Sequence, residues 1–211
     1  MTRYPWTILL LLAAVAGALA VWHFWFRPST ASASCADRDP APVIVAFGDS
    51  LVAGQGATTP GGFVSLLSAQ AGVPILNFGR GGDTTAAALT RIDAALAAKP
   101  SVVLVLLGGN DALRRVPSPT TEANLDAIIG RFQGAGAEVV LLGVMGDLFN
   151  DPYPDMFERL AKKHDVELVS NVLAGLLGRN ELMSDAIHPN EEGYSRIAAR
   201  VLPVLEEACE D

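Results

Sequence analysis

The chain has 211 residues, half of them hydrophobic and 18% charged, with a formal net charge of -8. That balance excludes a disordered chain, and with no basic stripe to meet a phosphate backbone, no nucleic-acid partner is expected. Once the unusual N-terminus is set aside, roughly 170 residues remain, the size of one ordinary domain with a sizeable core.

Residues 1–26 form the first segment. No Lys, Arg, Asp or Glu occurs between Pro5 and Phe26, and a helix of that length would reach about 30 Å, enough to cross a bilayer's hydrocarbon. The span ends in Trp22-His23-Phe24-Trp25-Phe26, aromatic residues suited to a membrane interface. Two readings stand: an uncleaved anchor that holds the protein on the membrane, or a signal cut after the small-x-small stretch Ala31-Ser32-Ala33. Both export the domain, to the periplasm or the cell exterior. Residues 27–42, rich in Ser, Ala and Pro, read as a flexible linker.

From residue 43 to residue 211, apolar runs alternate with helical patterns, as a parallel sheet requires. Strands are expected at 43–47, 74–78, 102–107, 139–144 and 166–169. Helices are expected at 63–70, 83–97, 121–132, 156–163 and 191–207. Most strand runs are continuously apolar, the pattern of strands covered on both faces. The expected fold is therefore a three-layer α/β/α sandwich, whose ligands bind at the carboxyl ends of the strands.

Those ends carry selected residues. The first strand runs into Gly48-Asp49-Ser50, the second into the glycine-rich stretch 77–85, and the third into Gly108-Gly109-Asn110-Asp111. Ser184-Asp185-Ala186-Ile187-His188-Pro189-Asn190 precedes the last helix. Together they make an acyl-transfer constellation. A serine hydroxyl is a weak nucleophile until a base takes its proton, and among three histidines His23 lies in the apolar span and His164 at a helix end. His188 is thus the candidate base for Ser50, with Asp185 three residues earlier to hold the imidazole tautomer. The candidate oxyanion donors are the backbone N–H groups of Ser50 and Gly82 and the side-chain amide of Asn110. Each also has a plainer reading: Gly82 as a turn glycine, Asn110 as a helix cap, His188 as a loop residue. Asp49 and Asp111 are expected to fix their loops, and Thr84 and Thr85 to cap the next helix.

Rival motifs fail. Gly54-x-Gly56 and Gly79-x-Gly81 are each followed by threonine where a dinucleotide fingerprint needs glycine, and no P-loop lysine or zinc-type His pair occurs. No metal and no cofactor is expected. Nor does Ser50 sit in a Gly-x-Ser-x-Gly elbow.

These blocks resemble those of the SGNH hydrolases, the GDSL esterase and lipase family. The name-giving Ser, Gly, Asn and His correspond to Ser50, Gly82, Asn110 and His188, and Asp185 matches the third triad member. "GGNDALR" and the length are most like the compact bacterial arylesterase, thioesterase and lysophospholipase branch. The resemblance implies a flavodoxin-like five-stranded sheet of order 2-1-3-4-5 and a serine esterase that hydrolyses carboxylic or thio esters of small acyl, aryl or lipid substrates through an acyl-serine. One departure is Gly81, where relatives commonly carry serine. O-acetyl groups on envelope polysaccharide are an alternative substrate, and a non-catalytic binding module an alternative of another class. Leu51, Val52, Leu113, Val116, Met145, Leu148 and Phe149 are candidates for an acyl pocket. A monomer is expected.

Export places the two cysteines in an oxidising compartment. Cys35 precedes the first strand and Cys209 ends the last helix, so in such a sheet both lie at the end opposite Ser50. A Cys35–Cys209 disulfide is the expectation, with two unpaired thiols as the alternative.

Overall fold

A computed structural model describes residues 35–58, 60–146 and 151–210. The apolar segment 1–26 and the first part of the stretch read as linker lie outside the described residues. From Cys35 onward that stretch is tied to the domain: a single 3-10 turn, Cys35–Asp37, buries Cys35 completely. Cys35 forms a disulfide with Cys209, Sγ to Sγ 2.15 Å and Cα to Cα 5.4 Å. Beside it, the Arg38 guanidinium donates to the Cys209 carbonyl.

Five strands form one parallel sheet: β1 (Ile44–Gly48), β2 (Ile75–Gly79), β3 (Val102–Leu106), β4 (Glu138–Leu142) and β5 (Glu167–Val169). Their order is 2-1-3-4-5. Every residue of β1 and β3 is buried, because both strands are central and both faces are covered, which explains their unbroken apolar runs. The edge strand β2 is half-buried and leaves Leu76 exposed.

Among the described residues, eight helices accompany the sheet: α1 (Ser50–Ala53), α2 (Gly62–Ala71), α3 (Thr85–Leu89), α4 (Ile92–Leu96), α5 (Gly109–Leu113), α6 (Ser118–Gly134), α7 (Tyr153–His164) and α8 (Glu191–Ala208). One layer is α2 against α8, with Phe63 and Tyr194 stacked at 6.4 Å. The other is α6 with α3 and α7, and Phe132 of α6 meets Phe47 of β1 edge-on at 5.4 Å. The layers enclose a core of Val, Leu, Ile and Phe.

Two expectations need correction. The single helix expected over 83–97 is two short helices. The Thr90 hydroxyl bonds back to the Ala87 carbonyl, and Arg91 leaves the helical path at φ -121°, ψ 7° while its side chain reaches back to the sheet. The four-residue α1 and five-residue α5 show no periodicity that a sequence pattern could reveal, yet they directly follow β1 and β3, two of the three interior strands. The chain turns sharply into α1 because β1 and β2 both end on glycine. A Cβ on Gly48 would meet the Leu106 carbonyl oxygen at 2.2 Å, and one on Gly79 would meet the Ala53 nitrogen at 2.2 Å. The sheet order reverses at β1, so the end of this strand is where a ligand cleft forms in folds of this kind.

Candidate active site

Asp49 is the N-cap of α1: its Oδ1 accepts from the Leu51 N–H at 3.0 Å, satisfying one of the free donors at the start of the helix. Ser50 follows as the first residue of α1 and is 8% exposed. Its Oγ lies 3.1 Å from His188 Nε2, and His188 Nδ1 lies 2.7 Å from Asp185 Oδ2. Asp185 Oδ1 accepts the backbone N–H groups of Ile187 and His188, each at 2.8 Å. The His188 bond, then those two N–H groups, pull the Asp185 carboxyl down to a pKa of about 2. An ionised carboxylate only accepts, so Nδ1 carries the imidazole proton and Nε2 offers its lone pair to the serine hydroxyl. The arrangement can deprotonate a serine.

Asn110 lies inside α5, whose N-cap is Gly108, so its amide does not cap that helix. Its Nδ2 instead donates to Asp49 Oδ2 at 3.3 Å, and Asn110 lines the same cavity as Ser50 and His188. Burial raises the Asp49 pKa to about 6, against the opposing pull of the Leu51 N–H and the Asn110 amide. Gly82 is not part of that cavity's lining. It sits, with φ +80°, on a turn bonded to the end of β1 by the Arg80 N–H to the Gly48 carbonyl, 3.0 Å. Its own carbonyl accepts from Arg114 Nη2 at 2.8 Å.

Behind these groups, the fully buried Asp111 accepts from the Thr85 N–H at 2.8 Å, the Thr85 hydroxyl at 2.6 Å and the Thr121 hydroxyl at 3.4 Å. Asp111 therefore does more than fix its own loop; it ties the turn after β2 to the turn after β3. Thr84 caps α3 through the Ala87 N–H, whereas Thr85 turns inward to Asp111, a partner 26 residues away that no local pattern announces.

The cavity holding Ser50 and His188 has about 550 Å³. Leu51, Leu113 and Met145 line it, together with Val144, Leu173, Leu177 and Ile187. Val52 is buried in the core instead, Val116 is not among the lining residues, and Leu148 and Phe149 lie outside the described residues. Leu173, Leu177 and Ile187 escape sequence reasoning because they sit on irregular chain with neither period. A larger groove of about 710 Å³ lies over α6 and α7, but Glu122–Arg159 and Asp126–Lys163 pair all of its charged side chains except Lys162. It offers no nucleophile. Among the described residues, no three His, Cys, Asp or Glu side chains gather into a metal-binding group.

Comparison with known proteins adds an independent finding. The model of the GDSL-like Lipase/Acylhydrolase family matches residues 46–196. Esterase TesA of Pseudomonas aeruginosa is 32% identical over 177 residues, covering 78% of this chain and 88% of its own. Thioesterase 1/protease 1/lysophospholipase L1 of Escherichia coli is 32% identical over 167 residues, covering 75% and 80%. The crystal structure of TesA matches with a TM-score of 0.73 at 31% identity, over 79% of this chain and 99% of that one. Since the family match spans both the sheet end that carries Ser50 and the loop that carries His188, the chain belongs to the GDSL-like lipase/acylhydrolase family and is a hydrolase acting on ester bonds.

Proposed function

We propose that Ser50 is the nucleophile, His188 the general base and acid, and Asp185 the group that orients His188. The observation that carries this reading is the unbroken chain from Ser50 Oγ through His188 to Asp185, at 3.1 Å and 2.7 Å. Ser50 Oγ attacks the acyl carbonyl carbon while His188 Nε2 takes its proton. The tetrahedral oxyanion is met by the N–H groups of Ser50 and Gly82 and the amide of Asn110. Collapse breaks the bond to the leaving alcohol or thiol, which receives the proton from His188, and leaves acyl-Ser50. Water, deprotonated by His188, then attacks the acyl carbon and releases the acid and the serine.

The substrate is an ester or thioester with an apolar acyl or aryl group. The largely apolar wall of Leu51, Leu113, Val144, Leu173 and Leu177 supports that choice, as do relatives named esterase and thioesterase/lysophospholipase. The protein acts outside the cytoplasm, as the uncharged span 5–26 and the disulfide both suggest. That span serves as an anchor or a cleaved signal, and mass spectrometry of the N-terminus of the exported protein distinguishes them.

The test is a fluorophosphonate reaction followed by peptide mapping, beside a series of p-nitrophenyl esters of increasing acyl length. Modification at Ser50, with kcat/KM that rises as the acyl chain begins to fill the cavity, is expected. Modification elsewhere, or none in an enzyme that still hydrolyses esters, sinks the assignment.

A further inference from the structure

We propose that Arg91 is a positioning residue for ester hydrolysis, setting the distance between the nucleophile's strand and the turn that carries Gly82. The proposal rests on the reading of Ser50 and Gly82 given above. Arg91 lies between α3 and α4, outside the cavity, and touches none of Ser50, His188 or Asp185 in the bonds it makes.

All three guanidinium nitrogens are engaged. Nη2 donates to the Gly48 carbonyl at 2.8 Å, Nη1 to the Phe78 carbonyl at 2.9 Å, and Nε to Asp83 Oδ2 at 2.5 Å. The guanidinium carbon stands 4.6 Å from the centre of the Phe47 ring. Gly48 is two residues before Ser50, and Phe78 and Asp83 bracket the turn that contains Gly82. A single planar group thus joins the end of β1, the end of β2 and the far side of the turn.

The need for such a strut follows from the local chemistry. At the ends of parallel strands the ladder stops; the Gly48 carbonyl takes the Arg80 N–H at 3.0 Å and Arg91 on its second lone pair, and the Phe78 carbonyl takes Arg91. The turn between β2 and α3 contains Gly79, Gly81 and Gly82, so it has few side chains with which to hold itself in place. Asp83 is 5% exposed and takes its close counter-charge from Arg91, with the exposed Arg80 guanidinium more distant at 3.7 Å. The planar fork meets the anion and the two carbonyls with a separate nitrogen for each. A lysine ammonium would keep the charge opposite Asp83 but is a point donor without the fixed fork.

Because oxyanion donors act on charge that develops only in the transition state, a shift of the Gly82 turn should appear in kcat and leave KM nearly alone. A plain structural strut would behave differently, lowering thermal stability while folded enzyme kept its turnover. The experiment is steady-state kinetics on Arg91→Lys in the full chain, well below its melting temperature, together with the rate at which a fluorophosphonate labels Ser50. Expected are a fall in kcat of about 10- to 100-fold and a parallel fall in labelling rate, with KM changed by no more than about threefold. A folded Arg91→Lys enzyme with kcat within about twofold of the parent, or a loss confined to KM, overturns the proposal. If Arg91→Lys does not fold, Asp83→Asn weakens one arm of the strut and leaves both carbonyl bonds in place. It should lower kcat by about three- to tenfold at constant KM, and an unchanged kcat overturns the proposal as well. Ser50→Ala separates the two levels: hydrolysis surviving in that variant overturns the reading of the site and this inference with it. Loss of hydrolysis there, with full turnover in Arg91→Lys, removes Arg91 alone.

Discussion

The two ends of the sheet are held together by different means. At the carboxyl end, seven polar residues are buried: Asp49, Ser50, Asp83, Thr85, Asp111, Thr121 and His188. They are the complete set of buried polar residues among those described, and no buried side-chain nitrogen or oxygen among them lacks a partner. At the amino end, one covalent bond joins Cys35, ahead of β1, to Cys209, at the close of α8. Helix α8 connects the ends, starting three residues after His188 and running 18 residues, about 27 Å. Buried polarity is costly unless every group is paired, so a fold that gathers all of it at one end is keeping it there for chemistry. The opposite end supplies stability alone. Changes at the first should therefore remove turnover from a folded protein, and changes at the second should unfold a protein that still turns over.

The sharpest way to break that contrast is at Ser50 and His188. Either Ser50→Ala or His188→Ala should lower kcat by on the order of 10⁴-fold or more, and the double variant should be little worse, because the two act as one unit. Melting temperatures should stay close to the parent's. Additive losses in the double variant would argue that the two residues work in separate steps.

Next in size is Asn110→Ala. With its amide bonded to Asp49 and facing the cavity, its loss should lower kcat by about 100- to 1,000-fold with a small change in KM. Full turnover in a folded variant would take Asn110 out of the oxyanion site and leave it as a loop brace.

Legibility in the sequence follows the same division. Ser50, Asn110, Asp185 and His188 could be read because each stands in a short block directly after a strand or before a helix. The sheet could be read because central parallel strands are apolar without alternation. The wall formed by Leu173, Leu177 and Ile187 could not, since residues 170–190 follow no period and their burial depends on a cavity formed by distant elements. The break at Arg91 was hidden for a related reason. Residues 83–97 have good helical composition, and the break goes with the Thr90 hydroxyl bond to Ala87 and with three acceptors across the sheet end that hold the Arg91 side chain.

A smaller effect separates the two acidic groups of the active end by pH. Asp185, with its pKa lowered to about 2, contributes stability that is present above its ordinary pKa near 4 and is lost as pH falls towards 2. Asp49 has the opposite sign. Its pKa is raised to about 6 by burial, so the native state holds a proton that the unfolded chain has already released, and stability falls as pH rises from about 4 to about 6. Asp49→Asn cannot titrate. Between pH 4 and pH 7 the parent should lose on the order of 2 to 3 kcal/mol relative to this variant, measured by urea unfolding at each pH. At pH 7 the variant's kcat should be down by about tenfold, since an amide now faces the Asn110 amide. Parallel stability curves for the two proteins would mean that Asp49 is ionised throughout that range.

The least change in turnover is expected at the other end. Cys35→Ser, Cys209→Ser and the double variant should hydrolyse esters at the parent's rate at low temperature, because α8 places Cys209 about 27 Å from the proposed catalytic residues. Stability should respond strongly. The disulfide closes a loop with a sequence separation of 174, nearly the whole described domain, and in the chain-entropy view a loop of this length is worth roughly 3 to 5 kcal/mol. All three variants should lose that amount alike, and the parent should fall to the same level in reductant. Thiol titration of denatured, unreduced parent should find no free thiols. Two outcomes would break the contrast between the ends. A turnover loss in the cysteine variants at a temperature where they are folded would mean that the amino end reaches the site through α8, and an unchanged urea midpoint would mean that packing around Cys35 holds the first strand without the covalent bond.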